Sequence, residues 1–463
     1  MVNDASRRPR AAAEAGNAAC LEAETEWFRA VLDLRLRVHA GEREPVDPLD
    51  LLPPPPTADE RAPYAAAVRA LGLGPAERLV LILAYLPHVK PHVLDPFFIR
   101  NLALDRPFTE FGGVPGQSHG GFLPTAETAM FLLAGDDLAA RMRHQPLFDP
   151  DHPLHARNVV SLQQRHPDEP RLSAALRVTP EYVERLATGH PWRPPFSAEF
   201  PAQRITTPYE WRDLVLDHAT REDVDEIVAW ARHAPELMDG WGLGKRLKPG
   251  FRSLFYGPPG TGKTLTASLL GKATGMDVYR IDLSRVISKY IGETEKNLAS
   301  VFDMAEHGEW ILFFDEADAL FGRRTDSRNA NDRAANQQVA YLLQRIEDFP
   351  GIVLLATNQK THLDEAFARR FQSMIHFPMP GPEQRLRLWR ENFEGQRFSL
   401  APDVDLDRLA REHELSGGSI INVLRYAALR AAARDPREVR LADLVHGVRR
   451  ELHKQGKFTS AGG

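Results

Sequence analysis

The sequence predicts an α/β fold: a five-stranded parallel sheet carrying a glycine-rich phosphate loop, between a mainly helical N-terminal region and an all-helical C-terminal one. Three observations predict it. The run Gly257-Pro258-Pro259-Gly260-Thr261-Gly262-Lys263-Thr264 stands between a short apolar stretch, Ser253–Tyr256, and a helix start at Leu265–Leu270. That is the strand–loop–helix context such a loop needs. Further apolar runs at Val278–Leu283, Trp310–Asp315, Gly351–Asn358 and Met374–Phe377 are separated by helical patterns, which gives parallel strands joined by crossover helices. Two of these runs end in polar residues, Asp315-Glu316 and Asn358, at the strand edge where open parallel sheets bind ligands.

Length and composition bound the rest. The chain has 463 residues, enough for about three domains. It divides on pattern into 1–60, 61–193, 194–380, 381–455 and a polar tail at 456–463. Hydrophobic content of 43% and charged content of 26% are those of a globular protein. A net charge of −5 supplies no bulk basic field for nucleic acid. Cys20 is the single cysteine, which excludes an intrachain disulfide and a multi-cysteine zinc site. No apolar run approaches the ~20 residues of a membrane span; the longest is Leu79–Leu86. Residues 1–20 lack an apolar segment, so they do not read as a secretory leader. A cytoplasmic protein without a membrane partner is the expectation.

In chain order, residues 1–20 read as disordered, and Leu21–Val38 as a helix with Trp27, Phe28, Val31, Leu32 and Leu34 on its apolar positions. Pro53–Pro56 reads as a stiff connector. Ala76–Leu86 reads as a helix begun by Pro75, and Ala126–Leu133 as one begun near Pro124-Thr125. Val159–Leu162, Leu172–Leu176 and Tyr182–Leu186 fit either a small winged-helix-like end or part of a helical bundle. His88, His92 and Asp95 have a spacing that suggests a metal site on one helical face, but Pro91 lies between the histidines and disfavours that helix. Residues 190–211 are rich in proline and aromatics and read as a linker, followed by a helix at Arg221–His233 capped by Thr220. Beyond Pro382 there are four helical patterns: Arg385–Phe393, Leu406–Leu415, Ile420–Arg434 and Leu441–Leu452.

The loop carries the chemistry. Its glycines let backbone N–H groups curl around a phosphate, and the helix that follows presents its positive end. The expected nucleotide-binding set in and beside the loop is Gly257, Pro258, Pro259, Gly260, Thr261, Gly262, Lys263, Thr264 and Leu265. Lys263 would reach the β and γ phosphates and Thr264 would ligate Mg²⁺, so ATP and Mg²⁺ are the implied ligands.

Together these motifs resemble the AAA family of ATPases over roughly residues 205–455. The resemblance implies a five-stranded parallel sheet with a four-helix lid, assembled as a homo-oligomeric ring, usually a hexamer. It implies Asp315 as a Mg²⁺-holding carboxylate with Thr264, and Glu316 as the carboxylate that polarises the attacking water. Asn358 matches the family's strand-end sensor of the γ-phosphate. Arg369 and Arg370 match the arginine-finger segment, which completes a neighbouring subunit's site. Lys289-Tyr290-Ile291-Gly292 resembles the pore loop of members that thread polypeptides, with Tyr290 and Ile291 gripping the chain. Trp241-Gly242-Leu243 falls where family members contact adenine. Gly417-Gly418 falls in the second sensor region, where no arginine stands, unlike many DNA-handling relatives. Asp315-Glu316-Ala317-Asp318 also spells a helicase box, but no second helicase core follows. The implied function is remodelling of a protein substrate or adaptor-bound protein. The alternatives are a nucleotide-switched scaffold and a nucleic-acid motor. The segments Leu71–Leu86, Pro124-Thr125 and Phe200–Thr207 are similar to bacterial AAA proteins encoded beside contractile injection systems, for which an assembly factor is the corresponding alternative.

Overall fold

The computed structural model describes residues 7–57, 59, 61–166, 168–190, 192–197, 200–283, 293–318, 330–358, 368–393, 398–454 and 456. The chain forms two compact units, Met1–Arg193 and Pro194–Gly463.

The first unit is built from helices α1 (Arg7–His39), α2 (Pro63–Leu71), α3 (Pro75–Val89), α4 (Ala126–Ala134) and α5 (Pro180–Thr188), with shorter helical turns between them. Strands β1 (Val160–Gln163) and β2 (Ala175–Val178) pair antiparallel. Helix α1 begins at Arg7, well before the expected Leu21. Two causes are visible. The alanine-rich stretch has high helix propensity. Asn17 also pins it: its side-chain amide donates to Leu186 O (2.9 Å) and accepts from Tyr64 N (2.9 Å). Trp27, Phe28 and Val31 of α1 share one core with Tyr64, Leu83 and Leu132, so the proline run 53–56 is a connector within that core. Glu24 is fully buried there, and it accepts from Tyr64 Oη (2.8 Å) and Arg78 Nε (3.0 Å). Its charge is therefore paired rather than stranded. Pro75 opens α3 and Thr125 caps α4 through Thr128 N, as the sequence suggests.

The second unit holds a six-stranded, mostly parallel sheet. Its strands are β3 (Ala202–Ile205), β4 (Phe251–Tyr256), β5 (Val278–Asp282), β6 (Ile311–Asp315), β7 (Ile352–Thr357) and β8 (Ser373–His376), in spatial order β8-β4-β7-β6-β5-β3. The five strands from β4 to β8 are mutually parallel. The sixth, β3, is antiparallel to β5 at the edge and corrects the expectation of five strands. It lies inside the segment read as a linker. Four residues of alternating character pair there, Arg204 Nε reaches Asp277 Oδ1 (2.7 Å), and Phe200 packs edge-on to Tyr279. The flanking prolines masked it.

Strand β6 shows why the sheet is covered on both faces. Ile311 and Phe313 enter a core with Val224 and Ile227 of helix α6 (His218–Pro235) and Ala267 and Leu270 of α7 (Lys263–Thr274). Leu312 and Phe314 enter the opposite core with Val301 and Phe302 of α8 (Glu293–Gly308) and Leu342 and Ile346 of α9 (Ala330–Asp348). Continuous apolar strands follow from burial on two sides. Helix α6 starts three residues before the expected Arg221, and its cap is Asp217, which accepts from Thr220 N (2.7 Å). Thr220 is instead buried and donates its hydroxyl to His376 O (2.8 Å), tying α6 to the end of β8.

The C-terminal part has four labelled helices, α10 (Pro382–Phe393), α11 (Leu406–Glu412), α12 (Gly417–Ala432) and α13 (Leu441–Lys454), around Trp389, Phe393, Val423 and Val448.

A buried arginine anchors the strand that leads into the glycine loop. Arg252 on β4 donates to Ile346 O (3.0 Å), Phe349 O (3.1 Å) and Gly250 O (3.2 Å). It thereby satisfies carbonyls at the end of α9 that would otherwise be orphaned. Arg252→Met should cost about 2–4 kcal/mol of stability, since at least two buried carbonyls lose their donor. Urea unfolding of the two proteins side by side checks this, and an unchanged midpoint and slope would contradict it.

Candidate nucleotide site

The loop 257–264 runs from β4 into the N-terminus of α7. Its shape requires glycine at two positions. Gly257 has φ 145° and Gly260 φ 76°, and a Cβ would meet Phe377 O at 2.1 Å on the first and Ser416 Oγ at 2.6 Å on the second. The loop therefore packs on backbone at Gly257 and on the Ser416 hydroxyl at Gly260, and a side chain at either position would also be strained by the positive φ.

Lys263 is buried at the head of α7. Its ammonium donates to two carbonyls of its own loop, Gly257 O (2.7 Å) and Pro258 O (2.9 Å). Burial pushes its pKa from 10.5 down to about 8, with the charges of Asp315 and Asp318 pulling weakly upward. The side chain is thus a cation held by dipoles, with no carboxylate in hydrogen-bond contact among the described residues.

The strand ends supply the acids and the amide. Asp315 closes β6 and pairs with Arg280 of β5 at 3.0 Å. Glu316 follows at φ 54°, and its N–H donates to Asp315 Oδ1 (3.0 Å). A non-glycine residue in the left-handed region is strained, and such strain collects at functional sites. Ala317 N returns to Ala356 O (2.8 Å), which locks this turn to β7. Asp318 accepts from the hydroxyl of Thr357, the residue before Asn358.

These pieces meet in one cleft of about 440 Å³, lined by residues 259–265 of the loop together with Asp315, Glu316 and Asn358. Gly257 and Pro258 shape the loop from behind through the carbonyls that hold Lys263. The far wall comes from the C-terminal helices: Gln384, Leu388 and Asn392 of α10, and Gly417, Gly418 and Ile421 of α12. Gly418 N donates to Gly260 O (3.0 Å), so the start of α12 is hydrogen-bonded to the loop itself. A third wall, Leu214-Val215-Leu216, precedes α6. Sequence reasoning missed this wall; its only signal is an apolar triplet just ahead of the α6 cap. The Trp241-Gly242-Leu243 segment does not line the cleft, and Trp241 is 67% exposed. It is displaced because the chain reaches the cleft earlier, along 213–217.

The donor set fits a polyphosphate with a hard cation. Loop N–H groups, a helix N-terminus and a buried ammonium suit phosphate. The Thr264 hydroxyl and Asp315 carboxylate, both in the lining, suit Mg²⁺. Among the described residues the cleft lining holds a single cation, Lys263, and no arginine. Arg369 and Arg370 do not line it; Arg369 is exposed and Arg370 pairs with Glu347 at the end of α9. Tyr290 and Ile291 lie outside the described residues.

The pH dependence follows from Lys263. Its folded pKa lies below the ordinary value, so burial costs stability below about pH 8, and that cost is relieved as pH rises toward 10.5. A bound phosphate favours the ammonium, so binding above about pH 8 must take up a proton. Nucleotide affinity should therefore fall by up to about tenfold per pH unit above that point. Calorimetry in buffers of different ionisation enthalpy checks it. An affinity flat to pH 9.5, with no proton uptake, would contradict it.

Comparison with known proteins places these observations. Residues 253–379 match the family described as ATPase family associated with various cellular activities (AAA). A proteasome-activating nucleotidase of Methanopyrus kandleri is 32% identical over 258 residues, 53% of this chain and 58% of that one. A proteasome-activating nucleotidase of Archaeoglobus fulgidus is 34% identical over 241 residues, 50% of this chain and 59% of that one. The chain thus spans less than two thirds of the length of these relatives. The crystal structure of the FIGL-1 AAA domain matches with 25% identity and a TM-score of 0.43, over 53% of this chain and 85% of that one.

Proposed function

We propose, from the premise that this chain carries an AAA-family ATPase domain, that it hydrolyses ATP with Mg²⁺ in a ring of identical subunits and uses the cycle to remodel a protein substrate. One observation carries the reading: a phosphate loop, two strand-end carboxylates and a strand-end amide line one cleft that has no arginine among the described residues. A triphosphate brings about four negative charges to a cleft whose described lining has one cation, and this reading draws the further positive charge from Mg²⁺ and a neighbouring subunit. Mg²⁺ held by Thr264 and Asp315 would neutralise part of the phosphate charge. For Asp315 to serve, its pairing with Arg280 must loosen. Glu316 would polarise the water that attacks the γ-phosphate, and Asn358 would orient it. Arg369 or Arg370 of a neighbouring subunit would offset charge on the transferring phosphoryl group. The four C-terminal helices would act as a lid, because α12 is bonded to the loop and would feel its occupancy.

The relatives named as proteasome-activating nucleotidases support a protein substrate. The Tyr290-Ile291 segment, by its resemblance to a pore loop, would grip that substrate. The N-terminal unit would select it or its adaptor. Glu316→Gln should bind ATP with wild-type affinity and lose at least about 100-fold in turnover, holding substrate for recovery by pull-down. Loss of binding, or retained turnover, would count against the assignment. Adding Tyr290→Ala should abolish the capture while leaving ATP bound. Capture that survives this change would favour a nucleotide-switched scaffold over threading.

A further inference from the structure

A cavity of about 660 Å³ lies within the N-terminal unit and shares no lining residue with the nucleotide cleft. Its lining gathers His88 at the end of α3, His119 on the loop between residues 112 and 123, Arg165 just beyond β1, and Arg177 on β2. No aspartate or glutamate lines it among the described residues. Neither arginine forms an ion pair among those residues; the guanidinium of Arg165 donates to the carbonyl of Pro115. The Nε2 atom of His119 is buried without a hydrogen-bond partner. Burial, then the charges of Arg177 and His119, hold His88 below its ordinary value. The remaining wall includes Leu123 and Leu176.

Arg165, Arg177 and His88 are exposed and His119 is half-buried, so the hollow is open to solvent and carries two guanidiniums with no lining carboxylate among the described residues. We propose that this cavity binds an amphipathic oxyanion, with carboxylate or phosphate groups on Arg165 and Arg177 and an apolar body against Leu123 and Leu176. The planar guanidinium fork matches either oxyanion. The volume exceeds what bare phosphate needs and falls in the range of small-molecule pockets. The charged and titratable groups that face His88 are Arg177 on β2 and His119 on the loop, with no lining carboxylate to offset them. A bound anion favours protonation of His88, so the affinity for an anion whose own charge is constant over that range rises as pH falls.

The test uses the full chain carrying Lys263→Ala, which silences phosphate binding at the glycine loop. Inorganic phosphate and an acetylated, amidated Glu-Leu-Glu peptide are titrated calorimetrically at pH 8 and pH 6. At least one probe should bind at one site per chain, with peptide binding about threefold or more tighter at pH 6. Arg177→Ala should weaken it about tenfold or more, and His88→Gln should flatten the pH response without removing binding. Preference for the peptide assigns an acidic peptide segment; preference for phosphate assigns a phosphorylated small molecule. Binding of neither probe, or binding unchanged by joint Arg165→Ala and Arg177→Ala substitution, overturns the proposal.

Discussion

The ammonium of Lys263 is held below the surface by two carbonyls of its own loop, and much of the second unit is arranged to make that possible. A buried cation without a bonded carboxylate is costly unless dipoles surround it. The carbonyls face inward only because Gly257 and Gly260 adopt backbone conformations that a Cβ would block. The loop is braced on one side by Phe377 beyond β8 and on the other by Ser416 and Gly418 at the start of α12. β4, from which the loop departs, is tied in turn to α9 by Arg252. The same geometry that shelters the ammonium leaves it able to exchange carbonyl oxygens for phosphate oxygens.

The parts that local chemistry dictates were legible in the sequence. The loop announces itself by its glycines and its Lys-Thr ending, and β6 by four apolar residues before two acids. Burial on both faces demands that composition, so it survives reading without a structure. Other features depend on contacts between distant segments. The edge strand Ala202–Ile205 exists because β5 offers it a partner and Asp277 an ion pair; by itself it is four residues among prolines. The cap of α6 moved to Asp217 because Thr220 has a stronger engagement with His376. Helix α1 extends over a stretch read as disordered because Asn17 anchors it to segments nearly fifty and a hundred and seventy residues away.

The candidate site divides along the same line. Lys263 could be named from the glycine loop, and Asp315, Glu316 and Asn358 from strand ends, and all four line the cleft. The Leu214–Leu216 wall, the Gly418–Gly260 bond and the Arg280–Asp315 pair could not, because each joins residues that no local pattern links. The left-handed backbone of Glu316 likewise has no signature in residue type. In the N-terminal unit, the histidines by themselves suggest only a disfavoured metal spacing at His88 and His92, whereas the fold sets His88, His119, Arg165 and Arg177 around one cavity.

The proposed assembly rests on the single cation in the cleft lining among the described residues. Arg369 and Arg370 follow β7 in the chain yet do not line the cleft of their own subunit. A complete catalytic centre would then form only where two subunits meet. ATP turnover per chain, measured from dilute to concentrated protein, tests this most directly. The account predicts near-zero turnover where single chains prevail, rising steeply to a plateau as they associate. Equal turnover per chain at every concentration, including those at which sizing detects only monomer, would contradict it.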